Sequence, residues 1–162
     1  MVIAREASMD ERVATAFKSA AERTFRDMFG IEAKMIDMAE LSPSDEHGWE
    51  LTGLVGLAGQ AHGVAAVRLA SALVERLLSG TGVDASSEQE RRQLEGGLVG
   101  EMINIIAGQA ASSLSGIDME IAPPVVVRGP NHKIGWPSIA PVVALSFSLP
   151  GGSLELDLCV KL

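Results

Sequence analysis

Close to the C-terminus, Leu154, Leu156, Leu158, Val160 and Leu162 alternate with Glu155, Asp157, Cys159 and Lys161. A period of two places the apolar set on one face of a strand and the polar set on the other. Such a strand is stable only where another layer covers its apolar face. The preceding residues 142–149 are again extended and apolar, and Pro150-Gly151-Gly152 between the two reads as a hairpin turn. The chain is therefore expected to close in an antiparallel pair, buried on one face and largely polar on the other.

The covering layer is legible upstream. Ser8-Met9-Asp10-Glu11 has the form of a capping box, and Val13, Phe17, Ala20, Ala21, Phe25, Met28 and Phe29 fall near helical spacing before Gly30, a natural stop. The spacing predicts a helix over 9–29. Residues 31–38 alternate loosely, and 42–46 read as a loop. Residues 49–57 and 63–69 read as strands joined through 59–62, and 71–78 as a short helix ending at Gly80. Ser87-Glu88-Gln89-Glu90 is a second capping box; it opens the longest helix, which runs to about Leu114 with Gly116 as its stop. Residues 119–127 are extended, with Pro123-Pro124 marking a bend or a sheet edge, and 128–137 form a polar loop. No linker or low-complexity tract interrupts this order. The expectation is one α+β domain over residues 1–162, a mainly antiparallel β-sheet packed against long helices.

Composition narrows the function. The net charge of −8 opposes phosphate backbones, and no basic cluster offsets it locally, so nucleic acid is not an expected partner. Aromatic residues are 4% of the chain and Tyr is absent, so the core must be built mostly from Leu, Ile, Val, Ala and Met. The most apolar stretch, 53–74, is interrupted by Gln60, His62 and Arg68 and is no membrane span. The opening residues lack the basic start and apolar run of a signal peptide, so a cytoplasmic protein is expected. Cys159, the single cysteine, sits in the alternating strand and reads as a core residue. His47, His62 and His132 lack a second ligand at metal spacing and are read as surface or hairpin residues. Glu40, Asp45, Glu46 and Glu50 read as a solvated acidic patch. Residues 129–135 are glycine-flanked but lack the strand-to-helix context of a phosphate-binding loop.

The long helix carries the most specific pattern. At about 100° per residue and with Glu101 as the origin, Val99, Met102, Ile103, Ile106, Ala110 and Leu114 fall in an arc roughly 100° to 220° away. Ile105 and Leu94 lie outside that arc. Glu101 and Asn104, three residues apart, are neighbours on the opposite side, amid Gly97, Gly100, Ala107, Gly108 and Ala111. Glycine in a helix interior costs about 1 kcal/mol relative to alanine, so this accumulation calls for a cause. Small residues here either clear space for a partner to approach the carboxylate and amide, or let a second helix pack tightly with the pair on its rim.

The segment Gly100-Glu101-Met102-Ile103-Asn104-Ile105-Ile106-Ala107-Gly108 resembles the E-x-x-N-x-x-x-G signature of the CheC/CheX/FliY phosphatase family. The helix ending Phe25-x-x-Met28-Phe29-Gly30, the proline-containing segment from Ile121 to Gly129 and the closing hairpin are similar to that family's order of elements. A single motif is similar to the CheX type. The resemblance implies hydrolysis of the aspartyl phosphate on a phosphorylated CheY-like response regulator, with Asn104 orienting the attacking water and Glu101 pairing with a lysine of the partner. It implies no cofactor in this chain, magnesium on the response regulator, and a homodimer pairing through its sheets. Gly97 departs from the pattern, since the family often has Asp or Ser four residues before the Glu. A module of the same fold that docks a regulator or another signalling protein without turnover is the other reading.

Overall fold

A computed structural model describes residues 9–41 and 48–162. The Ser42–Glu46 loop, His47 and Ser8 of the first capping box lie outside the described residues.

The first helix, α1 (Glu11–Phe29), is capped by Asp10, whose carboxylate accepts from the Arg12 amide at 2.8 Å. It ends at Gly30, which takes the left-handed conformation (φ 65°) and returns its amide to the Arg26 carbonyl. Val13, Phe17, Ala20, Ala21 and Phe25 are buried along one side, as the spacing requires. Full burial of a side chain the size of Phe17 stabilises the fold by about 1.5–3 kcal/mol.

Strands β1 (Lys34–Glu40), β2 (Leu51–Gly59) and β3 (His62–Leu69) follow, then helices α2 (Ser71–Gly80) and α3 (Glu88–Ser113). Strands β4 (Met119–Ile121), β5 (Val125–Arg128), β6 (Val143–Leu149) and β7 (Gly152–Lys161) complete the order. The strands form one antiparallel seven-stranded sheet in the order β1-β6-β7-β3-β2-β4, with β5 also paired to β2. The α+β class read from the sequence is the class observed. The extended segment at 119–127 is two strands, because Pro123 and Pro124 cannot donate to the ladder and break it between β4 and β5.

Leu154, Leu156, Leu158 and Val160 of β7 join Leu145 and Phe147 of β6 and the buried faces of α1 and α3 in one core. The opposite face of β7 departs from the polar face expected, because Asp157 is as buried as the leucines and the expected core residue Cys159. Residues 129–142 lie over it, and the Cys159 thiol donates to the carbonyls of Pro137 (3.4 Å) and Ala140 (3.3 Å). Burial raises the pKa of this thiol, which is the core residue expected.

Glu50 is exposed, as the reading of a solvated patch requires, and it also has a structural role. Its carboxylate accepts from both the amide (3.0 Å) and the hydroxyl (3.1 Å) of Ser71, capping α2 from outside the helix. Asp45 and Glu46 lie outside the described residues. No helix among the described residues is long and apolar enough to cross a membrane.

Candidate functional site

Helix α3 begins at Ser87, whose hydroxyl accepts from the Glu90 amide at 3.1 Å. Glu90 does not reach back to complete the box; its carboxylate takes the Ser86 hydroxyl instead. The cap fixes where the helix starts, and so which residues face the sheet. Val99, Met102, Ile103, Ile106 and Ala110 are fully buried, and Leu114 nearly so, matching the arc drawn on the wheel.

Glu101 and Asn104 are both exposed on the side away from that arc. Among the described residues, neither side chain has a hydrogen-bond or ion-pair partner. The small residues around them separate into two groups. A Cβ on Gly97 or Gly108 would meet nothing within 4 Å, so this chain packs nothing against either. Gly100 and Ala107, in contrast, are buried. A Cβ on Gly100 would lie 3.3 Å from Val126 Cγ2 and 3.7 Å from Pro124 Cγ. Part of the glycine accumulation is thus packing, against strand β5 rather than a second helix, and part is open surface. Beside it, Ala122, Pro123, Pro124 and Val125 are exposed, Val125 at 55%.

A surface groove of about 590 Å³ lies elsewhere, lined by Arg12, Thr15, Arg23, Ser113 and Ile117 among others. Ser113 is roughly 13 Å along the helix axis from Asn104. The surface around the pair is open, which suits a macromolecular partner better than an enclosed small molecule. Among the described residues, no group of three or more His, Cys, Asp or Glu side chains is placed to hold a metal ion.

Two polar clusters escaped the sequence reading. Glu95 is buried on α3, and its Oε1 accepts from Arg128 Nη2 at 3.1 Å; the same nitrogen donates to the Arg92 carbonyl at 3.3 Å. Arg128 therefore ends β5 and ties it to α3 instead of opening a polar loop. The wheel held a signal for this, since Glu95 falls at 120°, within the apolar arc, and a carboxylate there needs a partner.

The second cluster lies on the outer face of the sheet. Arg68 Nε donates to Thr52 Oγ1 at 3.2 Å, and Thr52 Oγ1 lies 2.6 Å from His132 Nε2. His132 Nδ1 lies 2.7 Å from the Gly129 carbonyl, which can only accept, so Nδ1 carries the proton and Nε2 accepts from the threonine. His132 is thus half-buried and bonded into the sheet, not a free surface residue.

The comparisons with known proteins agree with this architecture. The CheX structure from Desulfovibrio desulfuricans is 24% identical, with a TM-score of 0.82 over 92% of this chain and 99% of that one. A CheX–CheY–BeF3–Mg2+ complex from Borrelia burgdorferi is 25% identical, with a TM-score of 0.77 over 92% of this chain and 97% of its match. FliY from Thermotoga maritima is 20% identical, with a TM-score of 0.65 over 88% and 83%. No curated protein matches significantly. Residues 51–148, which span β2 to β6 and include all of α3, match the family described as Chemotaxis phosphatase CheX. With more than half its length matched, and with the resemblance first seen at Glu101 and Asn104 extending through the sheet, the chain belongs to the CheX family of chemotaxis phosphatases.

Proposed function

We propose that the protein hydrolyses the aspartyl phosphate of a CheY-type response regulator, with Asn104 orienting the attacking water and Glu101 anchoring the partner. The observation that carries this reading is the pair itself. A carboxylate and an amide stand one helical turn apart, unpartnered and exposed, beside positions where Gly97 and Gly108 leave open surface. The Borrelia burgdorferi CheX was captured with CheY, BeF3 and Mg2+, which supports a regulator as the partner.

In the reaction, a water oxygen bonds to phosphorus as the bond from phosphorus to the aspartyl oxygen breaks, releasing inorganic phosphate and the free carboxylate. Little covalent chemistry falls to the protein, so positioning and charge supply the rate. The Asn104 carbonyl can accept from the water while its amino group donates, and a neutral amide does not repel the phosphoryl oxygens. Glu101 brings a negative charge suited to a lysine of the regulator. Magnesium belongs to the regulator in this scheme, and the cytoplasm is the compartment.

We also propose a homodimer formed through the β1 edge. Ile36 (62%) and Met38 (52%) are exposed on that outer strand. The opposite edge is guarded by Pro123-Pro124, which cannot pair with an added strand.

The test is the decay of phosphorylated CheY-type regulators with and without the protein. The expected result is acceleration with at least one regulator, most of it removed by Asn104→Ala in a variant that keeps its fold. Binding without acceleration would instead support the non-catalytic module, the reading that Gly97 favours.

A further inference from the structure

Glycine inside a strand usually marks a place where another backbone comes close, because it gives up packing and chain entropy. Gly53, in the middle of β2, is such a place. A Cβ built on it would lie 2.9 Å from Val99 Cγ1, 3.0 Å from the Val99 carbonyl oxygen and 3.2 Å from Ile103 Cγ2. The backbone of α3 therefore rests on β2 where the strand has no side chain. Gly53 pairs across the ladder with Val126 of β5, and Val126 Cγ2 is the atom that a Cβ on Gly100 would meet at 3.3 Å. Two glycines, one on the strand and one on the helix, thus admit the close approach from opposite sides of one contact.

The location of that contact gives it meaning. Val99 precedes Glu101 by two residues, Gly100 is its neighbour, and Ile103 adjoins Asn104. The other glycines of this helix, Gly96, Gly97 and Gly108, have nothing within 4 Å, so the close seat is confined to the turn that bears the pair. The structure assigns Gly53 and Gly100, with Val126, as positioning residues that set the height of Glu101 and Asn104 above the sheet. This inference rests on the phosphatase reading. The pair projects from α3, whereas the exposed residues 122–125 belong to the β-layer that includes β5. A lifted helix would move the reacting amide relative to that rim. A misplacement approaching 1 Å can lower a rate about a hundredfold when the chemistry depends on an oriented water.

The experiment measures steady-state dephosphorylation of the regulator on which the wild-type protein is most active. The variants are Gly53→Ala, Gly100→Ala, Val126→Ala and the double variant Gly100→Ala/Val126→Ala, with Leu156→Val as a destabilised core control. Gly53→Ala is expected to lower kcat about tenfold or more with KM changed less than about threefold, while Leu156→Val leaves kcat within about twofold. Gly100→Ala is expected to lower kcat, and the double variant to recover most of it, because removing Val126 Cγ2 makes room for the new methyl group. If Gly53→Ala does not fold, the Gly100 and Val126 cycle alone decides the question. An active wild type with kcat unchanged in Gly53→Ala and Gly100→Ala overturns the seat and leaves the phosphatase reading intact. A loss that the Leu156→Val control matches, or that Val126→Ala fails to rescue, also overturns it. A wild type with no phosphatase activity overturns both.

Discussion

Asp157 and Arg68 face one another across β7 and β3, Oδ2 to Nη1 at 3.7 Å, and both are buried. Neither Asp157 oxygen nor Glu155 Oε2 receives a hydrogen bond, so one arginine stands near two carboxyl groups. Burial, reinforced by contact with Glu155, pushes the Asp157 pKa up to about 9, against the opposing pull of Arg68. The folded protein therefore holds a proton that the unfolded chain, with an aspartate pKa near 3.8, releases. A raised folded-state pKa contributes stability that is full below the unfolded value and is lost as pH rises toward the folded one. Between about pH 4 and pH 9 this group makes the fold less stable as pH increases, with an upper limit of about 1.4 kcal/mol per pH unit. Asp157→Asn mimics the protonated form and removes the dependence. Thermal melts should show Asp157→Asn gaining several degrees in Tm relative to wild type between pH 6 and pH 9. A constant difference across that range would mean that Asp157 is ionised in the fold.

The Glu95–Arg128 pair predicts an asymmetry between its two members. Glu95 is buried, whereas Arg128 keeps about a quarter of its side chain in solvent. Removing the arginine leaves a carboxylate without its countercharge in the core, which costs about 3 kcal/mol or more. Removing the carboxylate leaves a guanidinium that water can partly serve. Denaturant unfolding should therefore show Arg128→Ala losing more stability than Glu95→Gln. Equal losses would contradict the burial argument.

His132 supports a smaller prediction about the segment it fastens. Its ring joins Thr52 to the Gly129 carbonyl, so His132→Ala deletes both of these bonds and leaves the buried Thr52 hydroxyl without an acceptor for its proton. A loss of about 1–2 kcal/mol is expected, with faster amide exchange across residues 129–142 than in β6 or β7. Uniform exchange changes over the whole sheet would show that the ring does not act locally.

The elements were legible wherever a local period carried them, and the outer face of the sheet was not. The alternation at 154–162 predicts the strand and the burial of Leu154, Leu156, Leu158 and Val160, but Leu162 lies past the strand end and is exposed; the cap at Ser87 with the arc through Val99 and Ile106 sets the face of α3. The same alternation made Asp157 look solvated, because nothing in a period of two says that the segment carrying Pro137 and Ala140 folds back over that face. Arg68, Thr52 and His132 are 16 and 80 positions apart along the chain. Partnerships at that separation are made by topology, and no local pattern encodes them. Glu101 and Asn104 were legible for the opposite reason, since a spacing of three in a helix is a statement about one surface.

The β1 edge predicts its own disruption. Ile36→Lys with Met38→Lys places charges on an outer strand where neither buried packing nor a ladder partner within the chain is lost on the exposed side. Sedimentation should show the wild type as a dimer and the double variant as a folded monomer. A wild-type monomer at micromolar concentration would remove the dimer proposal without touching the site on α3.

Glu101 and Asn104 should fail in different ways when changed. If Glu101 anchors a lysine, Glu101→Gln keeps the shape of the side chain but loses its charge. Affinity for the phosphorylated regulator should then fall and become less sensitive to salt, since exposed ion pairs are screened at physiological ionic strength. Asn104→Asp keeps the shape and adds a charge, setting a carboxylate beside a phosphoryl group that is already negative. It also replaces the amide's donor with a second acceptor. Asn104→Asp should therefore be at least as inactive as Asn104→Ala, with kcat reduced by about a hundredfold or more in both. The measurement is single-turnover decay of the phosphorylated regulator at saturating protein, which separates the chemical step from binding. An Asn104→Asp variant with near-wild-type decay would show that the residue accepts a proton from water rather than orienting it, and would replace the amide role by general-base catalysis.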